Sequence, residues 1–167
     1  MPVSEQGITS DRYTLIPRTL IFLTRGDCVL LIKGAPDKRL WANRYNGIGG
    51  HVERGEDVLS AARRELKEEA GLEPEDLWLC GTITIDTGEN PGIGMYIFRG
   101  ESPIGDLQPS KEGSLAWIPI KELQNYPLVE DLNILLPRIL SHKKTDPPLS
   151  ILSSYDEEDQ LVIIFGK

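Results

Sequence analysis

Apolar residues recur along the chain with two periods, which predict β-strands and amphipathic helices. Runs rich in Val, Ile, Leu and Phe predict strands, because branched and aromatic side chains suit a pleated surface. The predicted strands are residues 18–24, 28–33, 77–86, 95–99, 116–119, 149–155 and 161–165, the first two forming a hairpin. Helical spacing predicts one helix between Asp57 and Gly71 and another at 129–141, which Pro137 is expected to kink or divide.

The first predicted helix has a cap at each end and an apolar flank. The carboxylate of Asp57 is expected to accept backbone N–H groups of the first turn. Gly71 is the expected stop, because glycine adopts the left-handed conformation without steric strain. The flank that can be buried consists of Leu59, Ala62, Leu66 and Ala70.

Three carboxylates lie on the flank beside this apolar stripe. Glu65, Glu68 and Glu69 fall within an arc of roughly 100° at helical spacing. Like charges this close repel each other, and a cation among them relieves the repulsion. Carboxylate oxygens suit Mg²⁺ or Mn²⁺, which also bind substrate phosphates. The helix alone therefore indicates either a metal site that faces a phosphate-bearing ligand or a solvated acidic surface.

Two loops are predicted, one before this helix in the sequence and one after it. Residues 34–47 form a long loop that runs into the glycine cluster 46–50. Long loops in compact domains are often functional, and glycines let the backbone approach a ligand or metal closely. Because the cluster shortly precedes the acidic helix, we expect it to form a wall of the same site. The second loop, 100–114, ends in Lys111-Glu112-Gly113.

Length and composition indicate one globular domain over residues 1–167, with a polar lead-in at 1–12 and a terminal β-hairpin at 148–167. No apolar run is long enough for a membrane helix, and the N-terminus has no signal-peptide pattern, which together predict a cytoplasmic protein.

The net charge of −8 argues against binding a nucleic-acid polymer but permits a small phosphorylated ligand. Cys28 and Cys80 lack metal-site spacing and are interpreted as buried free thiols.

The residues around the acidic helix also fit one extended pattern, GX5EX7REUXEEXGU, in which U is a bulky aliphatic residue. The matching positions are Gly50, Glu56, Arg64, Glu65, Leu66, Glu68, Glu69, Gly71 and Leu72. This is the Nudix box, and a chance match at background residue frequencies is negligible. The sequence therefore resembles a Nudix hydrolase, and the segment WIPIKEL at 117–123 adds to the resemblance.

The resemblance implies a fold, a reaction and a cofactor. The implied fold is of the α/β class, an α/β/α sandwich with a mixed β-sheet. The implied reaction is hydrolysis of a nucleoside diphosphate linked to another group, with Mg²⁺ or, in its place, Mn²⁺. The implied metal ligands are Glu65, Glu68 and Glu69, together with the carbonyl oxygen of Gly49. Glu112 is either a further ligand or base, or a solvated loop residue.

Two supporting residues and a base are also implied by the resemblance. Either Glu65 or Glu68 is expected to act as the base toward water. Glu56 lies outside the helical arc of carboxylates and is expected to be held by Arg64. An ordinary surface cation is the alternative interpretation of Arg64.

The substrate site is implied less directly. Asn46 matches an asparagine that contacts the base in MutT-like relatives, and Gly50 and His51 are expected beside the substrate. His51 either meets a phosphate or lies on the loop surface. Glu130 and Asp131 match an acidic pair that reads a purine, although Asp131 as a helix cap or solvated residue is the alternative.

Three functions are compatible with these residues. The first is a MutT-like pyrophosphohydrolase that converts a nucleoside triphosphate, including an oxidised one, to the monophosphate and pyrophosphate. The second keeps the chemistry but acts on ADP-ribose, a dinucleotide polyphosphate or a capped RNA end. The third is a non-catalytic ligand sensor, which the intact box argues against. The expected partner is a small nucleotide, with no nucleic-acid polymer and no membrane, and a homodimer is compatible with the sequence.

Overall fold

The computed structural model describes residues 2, 5–7, 9, 11–102 and 105–166, so part of the predicted lead-in lies outside the described residues. The strands are β1 (Leu15–Arg25), β2 (Cys28–Gly34), β3 (Tyr45–Asn46), β4 (Leu77–Ile85), β5 (Gly92–Glu101), β6 (Gly113–Pro119), β7 (Leu149–Tyr155) and β8 (Leu161–Phe165). The helices are α1 (Val58–Ala70), α2 (Leu132–Ser141) and a 3₁₀ helix at Ile120–Asn125. Within the described part of the chain, every helix is too short or too polar to cross a membrane.

The strands form one mixed sheet in the order β3-β2-β1-β5-β4-β7-β8, with β6 also paired to β2. β1 runs parallel to β5 and β4 runs parallel to β7, whereas the remaining neighbours are antiparallel. The terminal strands β7 and β8 form an antiparallel hairpin that extends the sheet beyond β4.

Alternation along β1 divides the core between the two faces of the sheet. Leu20 and Phe22 belong to a buried cluster that α2 covers, whereas Ile21 and Leu23 belong to a second cluster that α1 covers. Successive strand residues point to opposite faces, so one apolar strand contributes to both clusters. The predicted α/β/α sandwich with a mixed sheet is confirmed.

β1 and β2 separate soon after their turn, and the glycine-rich segment fills the gap. Their ladder covers residues 24–25 and 28–29. Further along, Ile21 exchanges backbone hydrogen bonds with Ile48, at N–O distances of 2.7 and 3.2 Å. The predicted hairpin is therefore correct at its turn but short, because the glycine-rich segment replaces β2 as the neighbour of β1.

The second helix differs from its prediction at its start and at its proline. It begins at Leu132, not at Val129, because the N–H of Val129 donates to the carbonyl of Tyr45 at 3.0 Å and holds that segment against β3. Pro137 does not divide α2, which continues to Ser141. Four apolar side chains of α2 are 0% exposed, and this packing outweighs the one backbone hydrogen bond that proline cannot donate.

The two cysteines differ in burial. Cys80 is buried in the core, whereas Cys28 is half-buried, so the predicted burial is correct for Cys80 alone. Burial raises the pKa of the Cys80 thiol to about 11. Both thiols are free, as predicted.

Candidate active site

Both predicted caps of α1 are present, and its buried face sets the direction in which its carboxylates point. Oδ1 of Asp57 accepts two backbone N–H groups of the first turn, at 2.9 and 3.0 Å. Gly71 ends the helix with φ 69°, in the left-handed region. The buried face consists of Ala61, Ala62, Leu66 and Ala70. Glu65 and Glu69 adjoin this face and are half-buried, so their carboxylates lie at the boundary between core and solvent.

The glycine-rich segment fits between α1 and β1 because Gly49 and Gly50 lack side chains. An ideal Cβ on Gly50 would lie 2.3 Å from Oε1 of Glu65, and one on Gly49 would lie 2.0 Å from the carbonyl oxygen of Thr19. The N–H of Thr19 donates to the carbonyl of Gly50 at 2.8 Å. The segment is thus hydrogen-bonded to β1 on one side and in contact with the α1 carboxylates on the other.

Arg64 connects four groups of the site. Its Nε and Nη2 donate to the two carboxylate oxygens of Glu56 at 2.9 and 3.0 Å. Nη1 donates to Glu65 at 2.8 Å and to Glu68 at 3.4 Å, and Nη2 also donates to the carbonyl of His51 at 3.0 Å. Hydrogen bonding from Arg64 lowers the pKa of the Glu56 carboxyl. The contact between Glu56 and Arg64 matches the resemblance, and the orienting role of Arg64 stays a prediction.

A cleft with a volume of about 380 Å³ opens beside these groups. The predicted site residues that line it are Asn46, Gly49, Gly50, His51, Glu65, Glu69 and Glu112. A second depression of about 390 Å³ adjoins it through Glu65, Glu69 and Glu112 and adds Glu68. Glu56 and Arg64 are not among the lining residues, so they can act on the cleft through Glu65, Glu68 and the carbonyl of His51.

Sequence reasoning missed two cations that line the cleft, Arg18 and Lys38. The ammonium group of Lys38 forms an ion pair with Glu112 and lies 5.6 Å from the ring centre of Trp41. Lys38 belongs to the loop at 34–47, whose length was a signal of function, but nothing in its spacing distinguished it from other loop lysines. Arg18 begins the apolar run that predicts β1, and a strand position by itself indicates no function.

The surroundings of Glu69 disfavour the charged form of its carboxyl group. Burial raises the pKa of the Glu69 carboxyl to about 7, the neighbouring Glu65 adds to the rise, and Lys38 opposes it. A carboxylate whose charged form is disfavoured by burial and by its neighbours gains most from a nearby cation.

The donor set fits a hard divalent cation. The carboxylates that border the two depressions are Glu65, Glu68, Glu69 and Glu112. No three His, Cys, Asp or Glu side chains of the described residues converge at metal-ligand distances. Arg64 holds Glu65 and Glu68, and Lys38 holds Glu112, so these two side chains pair with carboxylates that a metal ion would share.

The acidic pair near α2 does not line the cleft. Neither Glu130 nor Asp131 is among its described lining residues. Asp131 occupies the N-cap position of α2 but makes no side-chain capping hydrogen bond, and burial raises the pKa of its carboxyl. Glu130 accepts a hydrogen bond from the hydroxyl of Tyr155 at 3.3 Å. Their role in reading a base stays a prediction.

A larger cavity of about 470 Å³ lies between the 3₁₀ helix and α2. None of the described residues that line it carries a charge. An apolar cavity does not suit a polyphosphate, so the carboxylate-lined cleft is the candidate active site.

Comparison with known proteins agrees with this fold. The NUDIX domain model matches residues 14–139. The oxidized purine nucleoside triphosphate hydrolase of Danio rerio is 32% identical over 127 residues, which cover 75% of this chain and 80% of that protein. The NAD-capped RNA hydrolase NudC of Pseudomonas aeruginosa is 33% identical over 98 residues, 59% of this chain and 33% of that protein. A MutT crystal structure from Bacillus halodurans superposes with a TM-score of 0.74 at 22% identity, covering 90% of this chain and 97% of the other.

The chain belongs to the Nudix family, since the family model spans most of it and the Danio rerio relative aligns over three quarters of it. It is accordingly a Nudix hydrolase, an enzyme that cleaves phosphoric anhydride bonds. The resemblance predicted from the box is confirmed.

Proposed function

We propose that the protein hydrolyses a nucleoside triphosphate, including an oxidised purine nucleotide, to the monophosphate and pyrophosphate with Mg²⁺ as cofactor. The observation that carries the proposal is that α1, the glycine-rich segment, β3 and the loop before β6 all contribute residues to one cleft. Glu65 and Glu69 of α1 lie beside Gly49 and Gly50, while Glu112 and Asn46 line the same space. The Danio rerio relative, whose name records hydrolysis of oxidized purine nucleoside triphosphates, supports the choice of substrate.

The metal ligands we propose are Glu65, Glu68 and Glu69, with the Gly49 carbonyl and Glu112 as further oxygen donors. A bound Mg²⁺ supplies positive charge that neutralises phosphate oxygens and lowers the pKa of water. Mn²⁺ has the same preference for oxygen ligands and is expected to substitute.

Residues of the chain itself orient the catalytic carboxylates and accept a proton from water. Water adds to one of the two phosphorus atoms that share the bridging oxygen between the phosphate nearest the nucleoside and the next phosphate. The bond from the attacked phosphorus to that bridging oxygen breaks, and the products are the monophosphate and pyrophosphate. A carboxylate oxygen of Glu65 or Glu68 accepts the proton of the attacking water. Arg64 holds both glutamates and Glu56 in a fixed arrangement, which keeps the accepting oxygen aimed at the cleft.

The electrostatics favour a small ligand. The net charge of −8 opposes close approach of a long polyanion, whereas a cation bound among the glutamates reverses the sign locally. We therefore propose a free nucleotide, and not a nucleic-acid polymer, as the substrate.

The test is a product assay with Mg²⁺ over ordinary and 8-oxo nucleoside triphosphates, ADP-ribose and diadenosine polyphosphates. Glu69→Gln should abolish turnover, and Glu73→Gln is the matched control, because Glu73 is exposed and pairs with Lys67 away from the cleft. Pyrophosphate release from triphosphates supports the proposal. Turnover of ADP-ribose or a dinucleotide alone contradicts the substrate, and nucleotide binding without any turnover favours a ligand sensor.

A further inference from the structure

Arg18 lines the cleft without an acceptor for its charge. Its Nε is buried and has no hydrogen-bond partner among the described residues. No carboxylate in the described part of the chain forms an ion pair with its guanidinium. A guanidinium that is partly removed from water and unpaired is unfavourable, and an anionic ligand oxygen would relieve that cost.

Among the described residues that line the cleft itself, the other cation is Lys38, and it already has a partner, as does Arg64 beside the cleft. Lys38 is paired with Glu112, and Arg64 donates to Glu56, Glu65 and Glu68. The donors of Arg18, by contrast, are available to a ligand without breaking a contact within the described part of the protein.

The sheet register places Arg18 between two parts of the cleft. On one side of β1, Arg18 pairs with His51, which follows the glycine in contact with Glu65. On the other side, Arg18 lies beside Met95 of β5, and both line the cleft together with Leu20. A ligand that reaches from the α1 carboxylates to this apolar floor passes Arg18.

We propose that Arg18 binds the phosphate group nearest the nucleoside. This inference rests on the proposed nucleotide substrate. At one end of the cleft, the proposed metal-binding carboxylates bind the outer phosphates through the cation. At the other end, the floor formed by Leu20 and Met95 accepts the nucleoside. Arg18 binds the phosphate between them. Arginine suits this place because its planar fork donates two parallel hydrogen bonds to phosphate oxygens. The same fork also fits the O6 and N7 atoms of guanine, so the experiment must separate these contacts.

The first measurement is binding by calorimetry in EDTA, where hydrolysis is absent. The ligands are dGMP and dAMP, each compared with its nucleoside. Arg18→Gln should weaken both monophosphates by about tenfold to a hundredfold and leave the nucleosides unchanged. Arg18→Lys should recover part of the loss. Arg39→Gln is the matched control, because Arg39 is exposed and is not among the lining residues.

Equal weakening of nucleosides and monophosphates, a loss limited to guanine, or no binding of monophosphates by the unaltered protein would each overturn the inference. The second measurement is steady-state kinetics with two triphosphates of different bases. Arg18→Gln should raise KM by a similar factor for both, with kcat retained. A protein that hydrolyses no triphosphate but loses monophosphate binding in Arg18→Gln would disprove the proposed reaction and keep the phosphate contact. Triphosphate hydrolysis with an unchanged KM would do the reverse.

Discussion

At Gly50 the loop of the candidate active site comes close to Glu65 of α1. An alanine there would place a methyl group 2.3 Å from Oε1 of Glu65 in the present backbone. Carbon and oxygen cannot approach so closely, so the glutamate must move. The residue's importance therefore lies in the space that it leaves for a carboxylate.

We predict that Gly50→Ala lowers kcat/KM by about a hundredfold, because a misplacement of roughly 1 Å at a catalytic group has effects of that size. Gly105→Ala is the control, since its Cβ would meet nothing within 4 Å. The measurement is steady-state kinetics, with circular dichroism to show that both variants are folded. Equal activity of the two variants would contradict the proposed position of Glu65.

Arg64→Lys tests whether charge alone suffices at the connecting arginine. A lysine ammonium cannot satisfy Glu56, Glu65 and the His51 carbonyl in the geometry of a guanidinium. We predict that kcat falls by more than about tenfold while the fold is retained.

Arg63→Lys is the matched control for this change. Arg63 is the preceding residue of α1 and donates to the carbonyls of Pro74 and Glu75, away from the cleft. If the two lysine variants keep the same kcat, Arg64 does not orient the catalytic glutamates.

The box could be identified from the sequence, whereas the two cleft cations could not. Glu56 and Arg64 stand at fixed positions of a pattern, and their contact is present. Arg18 and Lys38 are single cations in a strand and a loop. Tertiary packing brings both of them to the cleft that the glutamates line, and local spacing does not encode that packing.

At the scale of elements, α1 ends where glycine permits it. Gly71 has φ 69°, and its N–H donates to the carbonyl of Lys67 at 3.1 Å. A residue with a Cβ is strained in this left-handed conformation, although asparagine tolerates it better than alanine.

We predict that Gly71→Ala lowers the free energy of unfolding by about 1 kcal/mol and that Gly71→Asn lowers it less. Both variants place the same Cβ 2.5 Å from the flexible side chain of Gln108, so their difference isolates the backbone conformation. Urea unfolding measures it. An alanine variant as stable as the asparagine variant would show that φ is not the limiting factor.

Element identity was largely predictable, but pairing was not. The last two strands occupy 149–155 and 161–165, as their apolar runs predict. The parallel ladder of β1 with β5 joins residues far apart in the chain, and no local pattern reports such a neighbour. α2 starts later in the structure than the sequence predicts, because a backbone hydrogen bond to Tyr45 competes with helix formation at Val129.

At the scale of the whole molecule, the terminal hairpin lies outside the segment that the family model matches, residues 14–139. It is nevertheless joined to the main sheet, since β7 pairs with β4 and Ile151 is 4% exposed within a core cluster. The hairpin and the rest of the chain should therefore unfold together.

We predict that Ile151→Ala lowers the free energy of unfolding by about 3 kcal/mol. The control is Ile164→Ala, because Ile164 is 53% exposed on β8 and its removal should change stability by less than about 0.5 kcal/mol. Tryptophan fluorescence in urea is the suitable probe, since Trp41, Trp78 and Trp117 all lie outside the hairpin. An unchanged tryptophan transition in Ile151→Ala would mean that the hairpin unfolds separately.

The backbone bonds between β1 and the glycine-rich segment have a consequence for dynamics. The N–H groups of Thr19 and Ile21 donate to carbonyls of that segment, at 2.8 and 2.7 Å. Solvent can reach these two amides when the segment separates from the sheet, and that separation also disturbs the contact of Gly50 with Glu65. The rate of deuterium uptake at Thr19 and Ile21 therefore reports how often the glycine-rich segment separates from β1, and it can be measured without any substrate.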